Sequence, residues 1–355
     1  MKFTNPVQPN DSNSFGISYS ALSYFRDYEY FKNKIQTGST AFGTWHYPRL
    51  YIQPSKNLRI EAGAFIRKDF GEKDPTPTRA MFSVQFKPQK NTTLIFGAIE
   101  GSLSHNLIQP LMQYDRIMDR PIEEGFQVKF KNERIWADAW IDWELRQTVN
   151  SNYPEELTGG LSFEYSITKP GKPWQLKLPL QFITPHKGGQ LDTNSSAVIT
   201  VLNTAAGLKA EWQNPRVEKF LQHFSMEAFY VGYSLDHANS FYPFDKGNGF
   251  LLNLLLKSKP GLGFNASYWN GKRFIAPKGN PILQSISSMP RFLTYTERER
   301  QLLVLNLFYE KEFVPGFFVY GSLNPYVNLN DRYMEHSFMI LLRYQNNFRI
   351  GRLKK

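Results

Sequence analysis

The sequence contains no cysteine, which excludes a disulfide-stapled scaffold and any metal site with thiolate ligands. It also lacks a long hydrophobic run, because its densest apolar stretch, residues 250–256, is about a third of the roughly 20 residues that a spanning helix needs. The first fifteen residues are polar and lack the apolar core of a secretory signal. We therefore expect no transmembrane helix and a numbering that begins after a removed signal.

Motifs for common chemistry are missing as well. The two glycine-rich patterns that bind nucleotide phosphates, G-x-x-x-x-G-K-[ST] and G-x-G-x-x-G after a strand, are both absent. No two histidines have a metal-binding spacing, so we expect no cofactor and no metal. His336 and Ser337 are sequence neighbours, and neighbours in a strand point to opposite faces, so this histidine cannot activate this serine. The sequence therefore predicts that the protein is not an enzyme.

Aromatic residues are abundant: 29 Phe, 19 Tyr and 7 Trp make up 15% of the chain. The mean hydropathy is nevertheless −0.45, a value typical of soluble proteins. A membrane barrel reconciles the two, since its strands turn alternate residues to lipid and to a polar interior, with aromatic girdles at both interfaces. The net charge of +11 is scattered along the chain rather than clustered, so we expect no nucleic-acid partner.

Alternation of apolar and polar residues is clearest at residues 134–146. One face of this segment carries Ile135, Ala137, Ala139, Ile141, Trp143 and Leu145. The other face carries Arg134, Trp136, Asp138, Trp140, Asp142, Glu144 and Arg146. A sheet with one face in water would also alternate, so this segment alone fits a soluble sandwich too. Similar segments of about ten residues recur along the chain and are long enough to cross a membrane when tilted.

The connections between these segments alternate in length. Short turns rich in Pro, Gly or Asn, such as residues 54–57 and 131–134, alternate with longer segments such as residues 104–123 and 271–298. Short turns at one rim and long loops at the other are typical of outer-membrane barrels. The prediction is an all-β fold: a transmembrane antiparallel up-and-down β-barrel of about 16 strands, with short periplasmic turns and long extracellular loops.

We expect one barrel over residues 14–350, preceded by a periplasmic N-terminal extension at 1–13 and followed by a basic C-terminal tail at 351–355. One periplasmic turn, residues 214–223, is long, and Val217, Phe220 and Leu221 lie at helical spacing, so a short rim helix is predicted there.

With this layout, the chain resembles the porin class of bacterial outer-membrane proteins from Ser14 to Ile350. The resemblance implies an outer-membrane location, contact with outer-membrane lipid and lipopolysaccharide, and passive diffusion of small polar solutes. Other outer-membrane proteins or further copies of the chain are open as partners. One departure is the end of the chain, where porins usually stop on an aromatic residue but Phe348 is followed by seven more residues.

The third long loop, residues 105–125, is the candidate constriction of the pore. Its apolar residues need protection from water, either by folding into the lumen or by capping the mouth or a partner. Charged candidates within it are Asp115, Arg116, Asp119 and Arg120, which can also pair with one another at the surface.

Alternation assigns a set of charged side chains to the lumen. They are Arg59, Arg67, Arg79, Lys129, Asp138, Asp142, Glu144, Lys177 and Arg343. Such charges either select solutes or hold a closed interior together. Two functions stay open: a porin-like channel, or a non-transporting accessory subunit of an assembly, secretion or nutrient-uptake complex, which the apolar third loop would favour.

Overall fold

The computed structural model describes residues 6–74, 78–189, 198–216, 218–236 and 241–353. These ranges contain sixteen strands: β1 Ser14–Glu29, β2 Thr40–Gln53, β3 Leu58–Asp69, β4 Thr78–Gln89, β5 Thr92–Ile99, β6 Glu123–Lys131, β7 Ile135–Leu145, β8 Glu156–Ser166, β9 Trp174–Lys187, β10 Ile199–Gln213, β11 Leu221–Asp236, β12 Lys246–Ser258, β13 Leu262–Lys272, β14 Glu299–Val314, β15 Phe317–Asn328 and β16 Tyr333–Arg352. A one-turn helix, α1, spans Arg116–Asp119, and short 3₁₀ helices span Pro9–Asp11, Ser102–His105, Pro281–Leu283 and Pro290–Phe292.

Every strand pairs antiparallel with its neighbours in sequence, and β1 pairs with β16 to close the barrel. Closure leaves no unpaired strand edge facing lipid, which the membrane interior requires. The predicted all-β barrel of about sixteen strands is therefore confirmed. Within the described ranges, no helix has the length and apolar character needed to cross a membrane.

The wall has two chemically different faces because successive side chains of a strand point to opposite sides. In β2, Phe42 and Leu50 are 51% and 66% exposed on the outer face, whereas Trp45 and Tyr47 on the other face are buried in the interior. Exposed apolar residues cover the outside, and buried aromatic and charged residues fill the inside. This is the arrangement of a barrel whose outside meets lipid.

Two details of the prediction are wrong. The turn at 214–223 contains no helix among its described residues: Asn214 donates its side-chain amide to the Leu221 carbonyl at 2.8 Å, and β11 begins at Leu221. Val217 lies outside the described residues. The last strand also continues past the expected boundary at Ile350, because Gly351 and Arg352 pair with Phe15 and Ser14.

Candidate functional site

The third extracellular loop, L3 (residues 100–122), folds into the lumen. It leaves β5, forms the 3₁₀ turn at Ser102–His105 and helix α1, and returns to β6. Six of its apolar side chains are buried: Leu107, Ile108, Leu111, Met112, Ile117 and Met118. Of the two locations left open by the sequence, the structure therefore has the inward one.

L3 reaches opposite sides of the wall. On one side Trp45 of β2 donates its indole N–H to the Ile117 carbonyl at 2.9 Å. On the other side the Gln181 side chain of β9 accepts from the Ile108 amide at 2.9 Å. A segment held at both ends of a diameter crosses the lumen rather than lining it.

The seventh extracellular loop, L7 (residues 273–298), enters the lumen beside L3. Trp269 of β13 donates its indole N–H to the Leu283 carbonyl at 2.9 Å. Two backbone hydrogen bonds join the loops, from the Gln113 amide to the Lys278 carbonyl at 2.7 Å and from the Asn280 amide to the Gln109 carbonyl at 2.9 Å. L3 and L7 thus form one packed plug across the barrel.

The four charged L3 candidates pair with the rest of the barrel rather than with one another. Their partners are Arg26 for Asp115 at 3.1 Å, Glu123 for Arg116 at 3.7 Å, Arg67 for Asp119 at 3.2 Å, and both Asp142 and Glu144 for Arg120 at 3.3 and 3.2 Å. The sequence did not predict these pairs, because they depend on the path of L3 through the lumen. Their combined effect is to fasten the plug to the surrounding wall.

The candidates assigned to the lumen also have partners inside the barrel. Ion pairs join Arg59 to Glu61 at 2.7 Å, Arg67 to Asp69 at 2.6 Å, Arg79 to Glu124 at 3.6 Å, Lys129 to Glu100, and Lys177 to Glu164 and Glu211 at 2.9 and 2.7 Å. Glu144 also forms an ion pair with Lys278 of L7 at 2.5 Å. The guanidinium of Arg343 lies 4.0 Å from the centre of the Phe318 ring. Charges inside a closed barrel are tolerated when paired in this way.

Asp138 belongs to a cluster that the sequence did not indicate. His105 of L3 contacts Asp138 with Nδ1 and Glu123 with Nε2, both at 3.0 Å, and its ring stacks on Trp140 at 3.5 Å between centres. Burial alone would lower the pKa of His105, but the two carboxylates outweigh it and raise this pKa to about 9. With a carboxylate at each ring nitrogen and its ring fully buried, His105 fastens L3 to β6 and β7.

A second polar cluster lies on the outer face of the wall, where β1 and β2 meet. We call it the wall cluster and define it as Tyr19, Ser23, Thr44 and His46. The Tyr19 hydroxyl lies 2.6 Å from His46 Nδ1, the Thr44 hydroxyl lies 3.3 Å from Nε2, and the Ser23 and Thr44 hydroxyl oxygens are 3.2 Å apart. The Thr44 hydroxyl also has the Leu22 carbonyl as an acceptor, at 3.1 Å.

The wall cluster lies just below the extracellular aromatic girdle. Phe42, two residues from Thr44 towards L1, packs edge to face against Phe25 and Phe70, with ring centres 5.5 and 4.7 Å apart. Lys68 is the cross-strand partner of Thr44, and its ammonium donates to the Glu72 carbonyl at 3.1 Å. The cluster therefore combines hydroxyls and an imidazole, with a cation nearby, towards the extracellular end of β2.

Little in the sequence indicated the wall cluster. His46 was interpreted as an isolated histidine, because its partners Tyr19 and Ser23 come from another strand. A Thr-x-His pattern places two polar residues on an otherwise apolar face, and this was the available signal.

Comparisons with known proteins give a family and a fold. A family model described as lipid A 3'-O-deacylase-type matches residues 7–353. No curated protein matches the chain. The prediction that the protein is not an enzyme is wrong, because the matching family model describes an enzyme family.

Solved structures with a similar fold are outer-membrane proteins. OprD of Pseudomonas aeruginosa is 11% identical over 99% of this chain and 100% of its own, with a TM-score of 0.54. A loop L8 deletion mutant of OmpT from Vibrio cholerae is 12% identical over 94% and 100%, with a TM-score of 0.55. OccAB3 of Acinetobacter baumannii is 11% identical over 94% and 99%, with a TM-score of 0.53. The chain has this porin-like fold and the outer-membrane location that goes with it, as expected.

Proposed function

We propose, since the chain belongs to the lipid A 3'-O-deacylase-type family, that it is an outer-membrane enzyme which hydrolyses an acyl ester of a lipid A-class lipid at the wall cluster. The plug occupies the lumen, whereas the wall cluster faces the lipid. A lipid substrate reaches such a site by diffusing sideways within its own leaflet.

The observation that carries the proposal is a hydroxyl beside an imidazole on a lipid-facing wall. Polar side chains are costly in contact with hydrocarbon, and those within a membrane usually serve a function. Thr44 and His46 have the relation of nucleophile to base, and Tyr19 holds the far side of the imidazole. The 3.3 Å separation of Thr44 from Nε2 is loose, as is common for catalytic contacts without substrate.

The arrangement supports a two-step hydrolysis. With the Nδ1 proton donated to Tyr19, His46 Nε2 takes the Thr44 proton as the hydroxyl oxygen attacks the acyl carbon. His46 then returns this proton to the departing alcohol oxygen. In the second step His46 activates a water molecule, which releases the fatty acid and restores the Thr44 hydroxyl. Lys68 lies where it can pair with an anionic group of the lipid.

Release of fatty acid from lipid A tests the proposal. The purified full chain, in mixed micelles with lipid A, should release fatty acid, measured by mass spectrometry. Thr44→Val and His46→Gln should each slow release by about a hundredfold or more. Thr204→Val, which removes an exposed hydroxyl from the outer face of β10, is the matched control and should leave release unchanged. Full activity of Thr44→Val, or no release by the wild type, would reject the proposal.

A second candidate is the diffusion of small polar solutes. Lysine and glutamate side chains of β8–β11 line the lumen on the periplasmic side of the plug, which favours a polar path there. Passage requires the plug to move, so this function predicts discrete conductance steps in planar bilayers. A folded barrel that never conducts would exclude it.

A further inference from the structure

Two adjoining cavities lie in the lumen on the periplasmic side of the plug. Their volumes are about 430 and 400 Å³, within the range of small-molecule binding sites. Leu103 and Tyr114 of L3 and Glu227 of β11 line both of them. We call the two together the vestibule, a space distinct from the wall cluster, which is on the opposite face of the barrel wall.

Tyr114 presents an aromatic ring to the vestibule. It is 41% exposed even though it belongs to the plug, in which the neighbouring apolar side chains of L3 are buried. Its hydroxyl has no hydrogen-bond partner among the described residues. Burial of so large an apolar surface is favourable, so an exposed ring with a free hydroxyl inside a cavity suits a ligand that offers both an apolar face and polar groups.

Side-chain amides line the part of the vestibule wall next to β8–β11, whose lysine and glutamate side chains face the same lumen. Asn253, Asn265 and Asn306 lie on the consecutive strands β12, β13 and β14, and Asn265 and Asn306 are cross-strand partners. The Asn306 side-chain oxygen is buried without a partner among the described residues. An amide offers both a donor and an acceptor, which matches a hydroxyl that does the same.

The lysines of the vestibule are all paired with carboxylates. Its cations contact carboxylates, Lys177 with Glu164 and Glu211, Lys209 with Glu211 and Glu227, and Lys257 with Glu310 at 3.6 Å. Three lysines therefore face four carboxylates, and no cation is left over for an anionic ligand. The arrangement favours a neutral ligand with many hydroxyls.

From this combination we propose that the vestibule binds a neutral saccharide of one or two rings, entering from the periplasmic side. One sugar face packs on the Tyr114 ring, and the hydroxyls bond to the amides of β12–β14 and to Glu227. The proposal does not depend on lipid hydrolysis at the wall cluster, so either can fail without the other.

Calorimetric titration of the full chain in detergent tests the proposal with three probes. The probes are maltose as a neutral disaccharide, glucuronate as an anion and glucosamine as a cation. Maltose should bind best. Tyr114→Ala and Asn306→Leu should each raise its Kd by about tenfold or more, since they remove the platform and an amide.

Tyr153→Ala is the matched control, because Tyr153 is a 40% exposed tyrosine of the extracellular loop between β7 and β8, outside the vestibule. It should leave the Kd for maltose unchanged. Absence of maltose binding by folded protein, tighter binding of glucuronate or glucosamine, or equal losses in Tyr114→Ala and Tyr153→Ala would each overturn the proposal.

Discussion

His105 makes the attachment of the plug dependent on pH. Its pKa is raised from 6.5 to about 9 by Glu123 and Asp138, so the protonated form is the one that stabilises the folded loop. This stabilisation is fully present below about pH 6.5 and is lost as the pH rises through about 9, and it amounts to at most about 3 kcal/mol. Amides of L3 should therefore lose protection from hydrogen exchange between pH 7 and pH 10, relative to the unfolded chain at each pH.

His105→Gln provides the control for this pH dependence. Glutamine does not titrate, so the variant should show no such step in L3. Amides of β14 and β15 serve as an internal reference, because the backbone hydrogen bonds between these wall strands do not involve L3. A step of equal size in His105→Gln would show that another group controls the loop.

Individual contacts of this kind were beyond sequence reasoning. Alternation assigned Asp138 to the lumen, but its partner His105 is 33 residues away and was interpreted as a lone histidine at a rim. The same holds for His46, whose contact with Tyr19 spans 27 residues. A strand pattern states which face a side chain occupies, whereas its partner depends on strand register and on the path of the loops.

At the level of elements, L3 fills the lumen but is not part of the closed sheet, so its removal should open the barrel without breaking the wall. Sixteen strands enclose a lumen wide enough for water unless something fills it. Replacing residues 103–119 with a short Gly-Ser linker should therefore give large, steady conductance in planar bilayers, where the wild type conducts little.

A matched deletion is available in the loop between β7 and β8. Residues 148–154 contain the exposed Val149 and Tyr153, and their replacement shortens an extracellular loop that has no described contact with the plug. This variant should conduct like the wild type. If the barrel without L3 is folded but still closed, L7 alone must seal the lumen.

Strands and loops differ in how far the sequence predicts them. Period-two alternation and turn residues are local, so the number and order of strands followed from the sequence. The apolar composition of L3 indicated that it is protected, but not where, because burial in the lumen and burial against a partner satisfy the same requirement. The prediction of a rim helix was wrong for a related reason. The spacing of Val217, Phe220 and Leu221 is helical, but Leu221 instead begins β11 and pairs with Ser258.

The whole molecule depends on the seam between β1 and β16, which unites the two ends of the chain. Pairing runs from Ser14 with Arg352 to Glu29 with His336. A chain ending after Tyr344 would leave Ser14–Ser20 paired with β2 but without their partners in β16, and unpaired backbone groups facing hydrocarbon cost several kcal/mol each. This truncated chain should therefore fail to form a heat-modifiable, protease-resistant barrel in the outer membrane.

A chain ending after Arg352 keeps every pair of the seam and should fold like the full chain, which separates closure from simple shortening. After Phe348, the strand continues to Arg352, and Arg349, Gly351 and Arg352 serve closure because they pair with Gly16, Phe15 and Ser14. Normal folding of the chain ending after Tyr344 would contradict this account, because the barrel would then close without the periplasmic half of its seam.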